Sequence, residues 1–198
     1  HRHAATAGLC AVATAAAAMA VAGLPPGPDA DAATLQAYVS GQRQGIVVTF
    51  ALYQIAIVFL FVFFAGLARI VSGVQGEAAA LAWGGFAGGV GLQVVALAGA
   101  IPFVAAAWRG ADDATLRLTY DANLLALYAL TAGLTLASVV LPTMAGLATR
   151  ALPFWIVVPA AVVVLANLAE LAGFVFFDDG PMALGVAPGL VAVPAWTA

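Results

Sequence analysis

The chain has 198 residues, of which 65% are hydrophobic and 8% are charged, and its mean hydropathy is +1.09. A soluble domain carries about 25% charged residues, so this composition excludes an ordinary water-soluble globule and predicts a polytopic membrane protein. All six basic residues are Arg, and without Lys no retinal or pyridoxal Schiff base can form. The net charge of −3, with no basic cluster, argues against nucleic acid as a partner.

Five apolar segments reach the length of about 20 residues that a helix needs to cross a bilayer. They cover residues 4–24, 46–71, 78–108, 122–148 and 152–177. The first segment also has features of a signal peptide and is interpreted as a retained anchor helix. The chain is therefore predicted to be all-α, with a single transmembrane domain over residues 1–198 that forms a polytopic bundle of about five transmembrane helices.

The apolar tail over residues 182–198 is too short to span the membrane and is interrupted by Pro188 and Pro194. Three interpretations stay open for it. The tail lies at the interface, which we favour, or it re-enters the membrane, or it begins a sixth span.

The first connection is the longest, and the later ones are short. Residues 25–45 start with prolines, after which Asp31 can cap a helix over residues 31–42. Leu35, Tyr38 and Val39 share one face of that helix, which is predicted to lie along the lipid headgroups. The other connections are a tight turn at 72–77, a polar loop at 109–121, and a minimal turn at 149–151 before Pro153 in the first turn of the next helix.

The orientation follows from the charged residues of these connections. The Arg residues divide equally between the two sides, whereas the acidic residues concentrate in the predicted outer connections. These are Asp29, Asp31, Asp112, Asp113, Asp121, Asp178 and Asp179. The distribution favours a cytoplasmic N-terminus. The absence of Lys, together with abundant Ala, Gly and Val, suggests the inner membrane of a bacterium with a GC-rich genome.

The third segment carries overlapping GxxxG patterns, in which small residues allow helix backbones to approach closely. The glycines concerned are Gly84, Gly85, Gly88, Gly89 and Gly91. They predict either packing within this chain or an interface with a protein partner or a second copy.

Glu170 is the ionisable residue that falls well inside an apolar segment, where a carboxylate marks a functional site by default. Helical spacing puts Asn167 on the same face, and the predicted threading places three further polar residues at similar depth. These are Gln54, Gln93 and Tyr128. Two interpretations compete: interhelical hydrogen bonds with a protonated Glu170, or a pocket open to the outside in which Glu170 titrates or binds a ligand or cation.

No nucleotide-binding, Ser-His or HExxH pattern occurs in the sequence, and no cofactor is predicted, although bound lipid stays open. Asp112, Asp113 and Asp121 supply oxygen atoms that a divalent cation could use. Because Arg109 and Arg117 lie among them, a solvated loop that neutralises itself is the preferred interpretation.

The stretch from Leu81 to Leu171 resembles the layout of small uncharacterised membrane proteins common in GC-rich bacteria. The resemblance rests on the Gly-rich segment, the short Asp-containing loop and the Pro153-Phe154-Trp155 start of the fifth segment, and it implies no activity. The expected function is a non-catalytic accessory or structural subunit of a membrane complex. The alternatives are a small transporter or ligand-binding component centred on Glu170 and, third, a membrane enzyme acting on a lipophilic substrate.

Overall fold

The computed structural model describes residues 2–71 and 76–176; for residues 2, 128 and 170–176 it describes the backbone alone. These residues form helices joined by short turns, which confirms the predicted all-α fold for this part of the chain. Four helical stretches within it are long and apolar enough to cross a membrane: His3–Ala22, Ala32–Val71, Glu77–Arg109 and Asp113–Ala148. The tail over residues 182–198 and residue 177 lie outside the described residues.

The helices follow one another in a simple order. They are α1 (Arg2–Ala22), α2 (Ala32–Val71), α3 (Glu77–Arg109), α4 (Asp113–Leu124), a π-helical segment (Leu125–Leu130), α5 (Ala132–Ala148), a 3-10 turn (Phe154–Ile156) and α6 (Val157–Phe176). Between α5 and the 3-10 turn, Arg150 adopts a left-handed conformation with φ 57°, and Leu152 N–H donates to Gly146 O at 3.1 Å. Pro153 lies just before the helical residues, not inside their first turn.

The sequence predicts a separate helix over residues 31–42, and α2 has a kink at the end of that range. The non-helical dihedral angles of Gln42 (φ −117°, ψ 15°) divide α2 into two helical parts, and the first part, which starts at Ala32, corresponds to the predicted helix. Asp31 caps the helix as expected, accepting a hydrogen bond from Thr34 N–H at 2.7 Å. The apolar face is covered by protein, because Leu35 and Val39 are buried in one cluster with Phe103 of α3.

The segment 109–121 was predicted to be a polar loop, and most of it is instead helical. Gly110 ends α3 in the left-handed conformation (φ 66°) that glycine adopts without steric cost. Asp112 then starts α4, accepting a hydrogen bond from Thr115 N–H at 2.8 Å. Both α2 and α4 start with the spacing Asp-x-x-Thr, which is a capping signal. This signal indicates a helix start at Asp112 although the segment is polar.

Helix α3 lies in the middle of the bundle and packs against α2, α4, the π-helical segment and α5. Its glycines are covered by the chain's own helices: Gly84 faces Leu141, Gly85 faces Pro142, Gly88 faces Leu134, Ala137 and Ser138, Gly89 faces Phe64, and Gly91 faces Leu134. The structure therefore uses the glycine pattern for packing within the chain, the first of the two interpretations that the sequence left open.

A hydrogen-bonded clasp holds the loop between α1 and α2 at one end of the bundle. Arg117 of α4 donates through its two terminal nitrogens to Pro28 O and to Ala30 O, the latter at 2.6 Å. Tyr120 Oη donates to Pro26 O, and Arg117 Nε also pairs with Asp121 at 3.0 Å. We call this end, with residues 23–31 and 110–112, the Pro-rich end.

We expect Gly99→Ala to lower the free energy of unfolding by about 1–3 kcal/mol, because a methyl group there overlaps the Ala126 methyl group and lies 3.5 Å from Asn123 Cα. Gly133→Ala is the matched control. Nothing lies within 4 Å of its added Cβ, so the substitution should leave stability unchanged or raise it by up to about 1 kcal/mol. Thermal unfolding in detergent measures both, and equal effects would contradict the close approach of α3 and the π-helical segment.

The cap at Asp112 predicts a pH dependence. Hydrogen bonds from the Thr115 backbone and side chain lower the pKa of Asp112 below its usual 3.8. The ionised cap therefore stabilises the fold fully above that value, and its contribution is lost as the pH falls through the lowered pKa. Asn caps equally well without ionising, so the difference in Tm between the wild type and Asp112→Asn should shrink between pH 5 and about pH 3. Asp113→Asn, which removes the same charge beside the cap, is the control. If the difference in Tm between the wild type and Asp112→Asn stays constant across that pH range, ionisation of the cap has no role.

Candidate functional site: a buried polar layer beside a pi-helical segment

A π-helical segment, Leu125–Leu130, interrupts the long helix that α4 and α5 otherwise form. Such segments carry one extra residue per turn, are uncommon, and frequently occur at functional sites. The next residue, Thr131, is buried and donates its hydroxyl proton to Leu127 O, so it supplies a partner inside the irregular turn. The sequence predicts an uninterrupted fourth span here and gives no sign of this irregularity.

Asn123 precedes the π-helical segment and is buried, with 9% of its surface exposed. Its Oδ1 atom is enclosed and has no hydrogen-bond partner among the described residues. The sequence pattern does not single out this residue, because it lies near the start of the predicted fourth span. An Asn flanked by Ala and Leu residues was the signal that could have identified it.

Gln93 of α3 is buried to a similar degree, as expected for an intramembrane polar residue. The antiparallel contacts of Gly91 with Leu134 and of Gly99 with Ala126 fix the register of α3. Gln93 lies between those two glycines along α3, so it is level with the end of the π-helical segment.

Gln54 of α2 is half-buried, and its Nε2 atom is enclosed without a hydrogen-bond partner in the described part of the chain. The contact of Phe64 with Gly89 and the shared cluster of Ile46 and Ala106 fix the antiparallel register of α2 on α3. This register puts Gln54 at the level of Gly99, and a Cβ added at Gly99 would lie 3.5 Å from Asn123 Cα. An unpaired amide donor and an unpaired amide acceptor thus occupy one level of the bundle.

Asn167 is also buried, with 8% of its surface exposed. Its Nδ2 atom donates to Val163 O at 2.9 Å, one turn back on the same helix, so this bond does not join two helices. An interhelical bond from a side chain to a backbone lies elsewhere: Thr49 of α2 donates to Ala18 O of α1 at 2.8 Å.

Glu170 and Tyr128 lie on helical backbone, in α6 and in the π-helical segment, and α6 packs against that segment. Their side chains lie outside the described residues. The three aspartates proposed for a cation have other roles or positions: Asp112 caps α4, Asp113 occupies its first turn, and Asp121 pairs with Arg117. Over the described ranges, no three His, Cys, Asp or Glu residues come together as a metal site.

The polar layer, defined as Gln54, Gln93, Asn123 and Thr131, contains neutral amides and a hydroxyl. Such groups can bind water, an alcohol or an amide through hydrogen bonds, and burial makes every unpaired atom unfavourable. Comparisons with protein families, with curated proteins and with solved structures found no match to this chain.

Gln54→Met tests whether Gln54 Nε2 in the polar layer is without a bound water or ligand. Removing a buried donor without a partner removes its desolvation cost, so we expect the free energy of unfolding to rise by about 1 kcal/mol. Unfolding in detergent measures this change. Gln44→Met, an exposed position on the same helix, should change it by no more than about 0.5 kcal/mol.

A loss of stability in Gln54→Met would contradict that expectation. It would mean that the Nε2 atom has a bound partner, such as an ordered water or a ligand, that the variant can no longer hold.

Proposed function

We propose that this chain is an integral protein of a bacterial inner membrane with five crossings and a cytoplasmic N-terminus. The four long apolar stretches support this proposal, with α6 as the fifth crossing. Exposed Trp108 at the end of α3 and exposed Trp155 at the start of the last helical stretch have the amphipathic rings that favour a membrane interface. The proposed cytoplasmic N-terminus rests on the distribution of acidic residues, which favours an outer position for the Pro-rich end.

We further propose a non-catalytic role as an accessory or structural subunit of a membrane complex. The observation that carries this proposal is a stripe along α2, in which β-branched residues recur on one helix face with 39–60% of their surface exposed. The α2 stripe consists of Val48, Ile55, Val58 and Val62. Because their side chains have few rotamers, they lose little entropy on packing, which suits contact with a helix of another subunit.

The glycine surface of α3 is not part of this proposal, since the chain's own helices cover it. Several buried polar side chains donate hydrogen bonds to the backbone of their own helix, as Thr143 does to Val139 O at 2.7 Å. A partner therefore has to recognise the apolar outer surface by its shape, because lipid tails are as apolar as the side chains.

The proposal predicts that Val58→Trp reduces assembly with the partner subunit. The variant stays as apolar as the wild type, so it should remain in the membrane after an alkaline wash, while its bulk disturbs the α2 stripe. The measurement is the mass and subunit stoichiometry of particles extracted in native lipid. Val94→Trp, at an equally exposed position on α3, is the control and should leave the complex intact.

Two outcomes would overturn this proposal. Release of the wild type by the alkaline wash would refute membrane insertion. Particles that contain one copy of this chain with lipid alone would refute the role as a subunit.

A second function, a small transporter or ligand-binding component, is supported by a different observation. Gln54 Nε2 and Asn123 Oδ1 are complementary, buried and unpaired beside a π-helical segment, an arrangement suited to a small neutral polar ligand. Loss of stability in Gln54→Met favours this alternative.

A further inference from the structure

A cleft of about 170 Å³ lies at the Pro-rich end, between the start of α2 and the end of α3. Gln36, Ser40 and Arg43 of α2 form its polar wall, and residues such as Ala106 and Leu116 form an apolar wall. The cleft shares no lining residue with the polar layer.

Gln36 supplies an acceptor that needs a donor. Its Oε1 atom is enclosed and has no hydrogen-bond partner within the described part of the chain. Leaving a buried acceptor unpaired is unfavourable, so a ligand with N–H or O–H groups gains affinity at this point.

Arg43 supplies a cation that can bind an anion. Its guanidinium group lies 5.3 Å from the centroid of the Trp108 ring, and no carboxylate of the described residues pairs with it. A guanidinium group matches the geometry of phosphate oxygens. The stacking on Trp108 leaves edge N–H groups for such a contact.

The order of these groups along α2 gives the cleft a direction. Gln36 and Arg43 lie on the two sides of the kink at Gln42, and Arg43 is the nearer to the apolar part of α2. With this end at the membrane surface, Arg43, which binds the anion, lies deeper in the membrane than Gln36, which accepts a hydrogen bond. A phospholipid whose headgroup ends in an amine has the same order, with its phosphate nearer the hydrocarbon than its ammonium group.

We propose that the cleft binds the headgroup of a zwitterionic phospholipid with a primary amine. The phosphate contacts Arg43, and an ammonium N–H donates to Gln36 Oε1. The C-terminal end of α3, which carries the negative end of the helix dipole, lines the same cleft at Ala107 and Gly110 and favours the cation. This inference rests on the membrane insertion and orientation proposed above.

Lipids of matched acyl chains test the two contacts separately. Phosphatidylethanolamine carries ammonium N–H donors, and phosphatidylcholine has the same phosphate with a quaternary amine that cannot donate. Native mass spectrometry of the full chain in detergent, titrated with each lipid, should give about tenfold tighter binding of phosphatidylethanolamine, the effect of one buried hydrogen bond.

Variants assign the preference to residues. Gln36→Leu should abolish the preference for phosphatidylethanolamine, and Arg43→Gln should lower the binding affinity for both lipids several-fold. Gln44→Leu and Arg109→Gln are matched controls, since both residues are exposed near this end and neither lines the cleft. Both controls should bind lipid as the wild type does.

Equal affinity for the two lipids, or a preference that survives Gln36→Leu, would overturn the inference. Binding of free phosphoethanolamine as tightly as the lipid would overturn it as well, by assigning the cleft to a soluble ligand. A protein that resists the alkaline wash but lacks lipid selectivity refutes the headgroup site alone, whereas release by the wash refutes membrane insertion itself.

Discussion

The close approach of α3 to its neighbours is the constraint on which the rest of the architecture depends. Apolar helices in a lipid environment gain little from hydrophobic burial against each other, so packing and backbone proximity must hold them together. Gly88 permits that proximity: an added Cβ would lie 3.1 Å from Leu134 O and from Ser138 N. Because α3 touches α2, α4 and α5, one helix with small residues determines where these three neighbours lie.

The two hydrophobic clusters divide the bundle into different ends. The cluster around Leu35, Leu116 and Tyr120 lies at the Pro-rich end, and that around Val71, Ala145 and Val163 lies at the opposite end. The polar layer falls between them, where α2 and α4 run past Gly99. The buried side chains thus change along the bundle from apolar to amide and back to apolar, so the middle of the bundle has polar groups that neither cluster has.

The sequence predicted the long apolar helices because apolar length is a local signal, whereas it predicted a polar loop where Asp112 starts α4. It also predicted that Gln93 and Asn167 face inward, since uncharged polar residues in apolar helices avoid lipid. Three features depended on contacts between distant residues and were missed. Residues 31–42 pack on α3, Asn123 lies against Gly99, and Arg117 binds the carbonyl groups of Pro28 and Ala30. The π-helical segment was missed for a different reason, because an inserted residue in a Leu- and Ala-rich helix leaves no compositional trace.

The clasp of Arg117 and Tyr120 also sets an order of assembly. It joins residues 87 to 94 positions apart in the chain, and ribosomes add about 5–20 residues per second. The loop with its proline carbonyl groups therefore emerges several seconds before α4 can reach it. Until then those carbonyl groups have only water as a donor in place of Arg117 and Tyr120, so closure of the Pro-rich end waits for the second half of the chain.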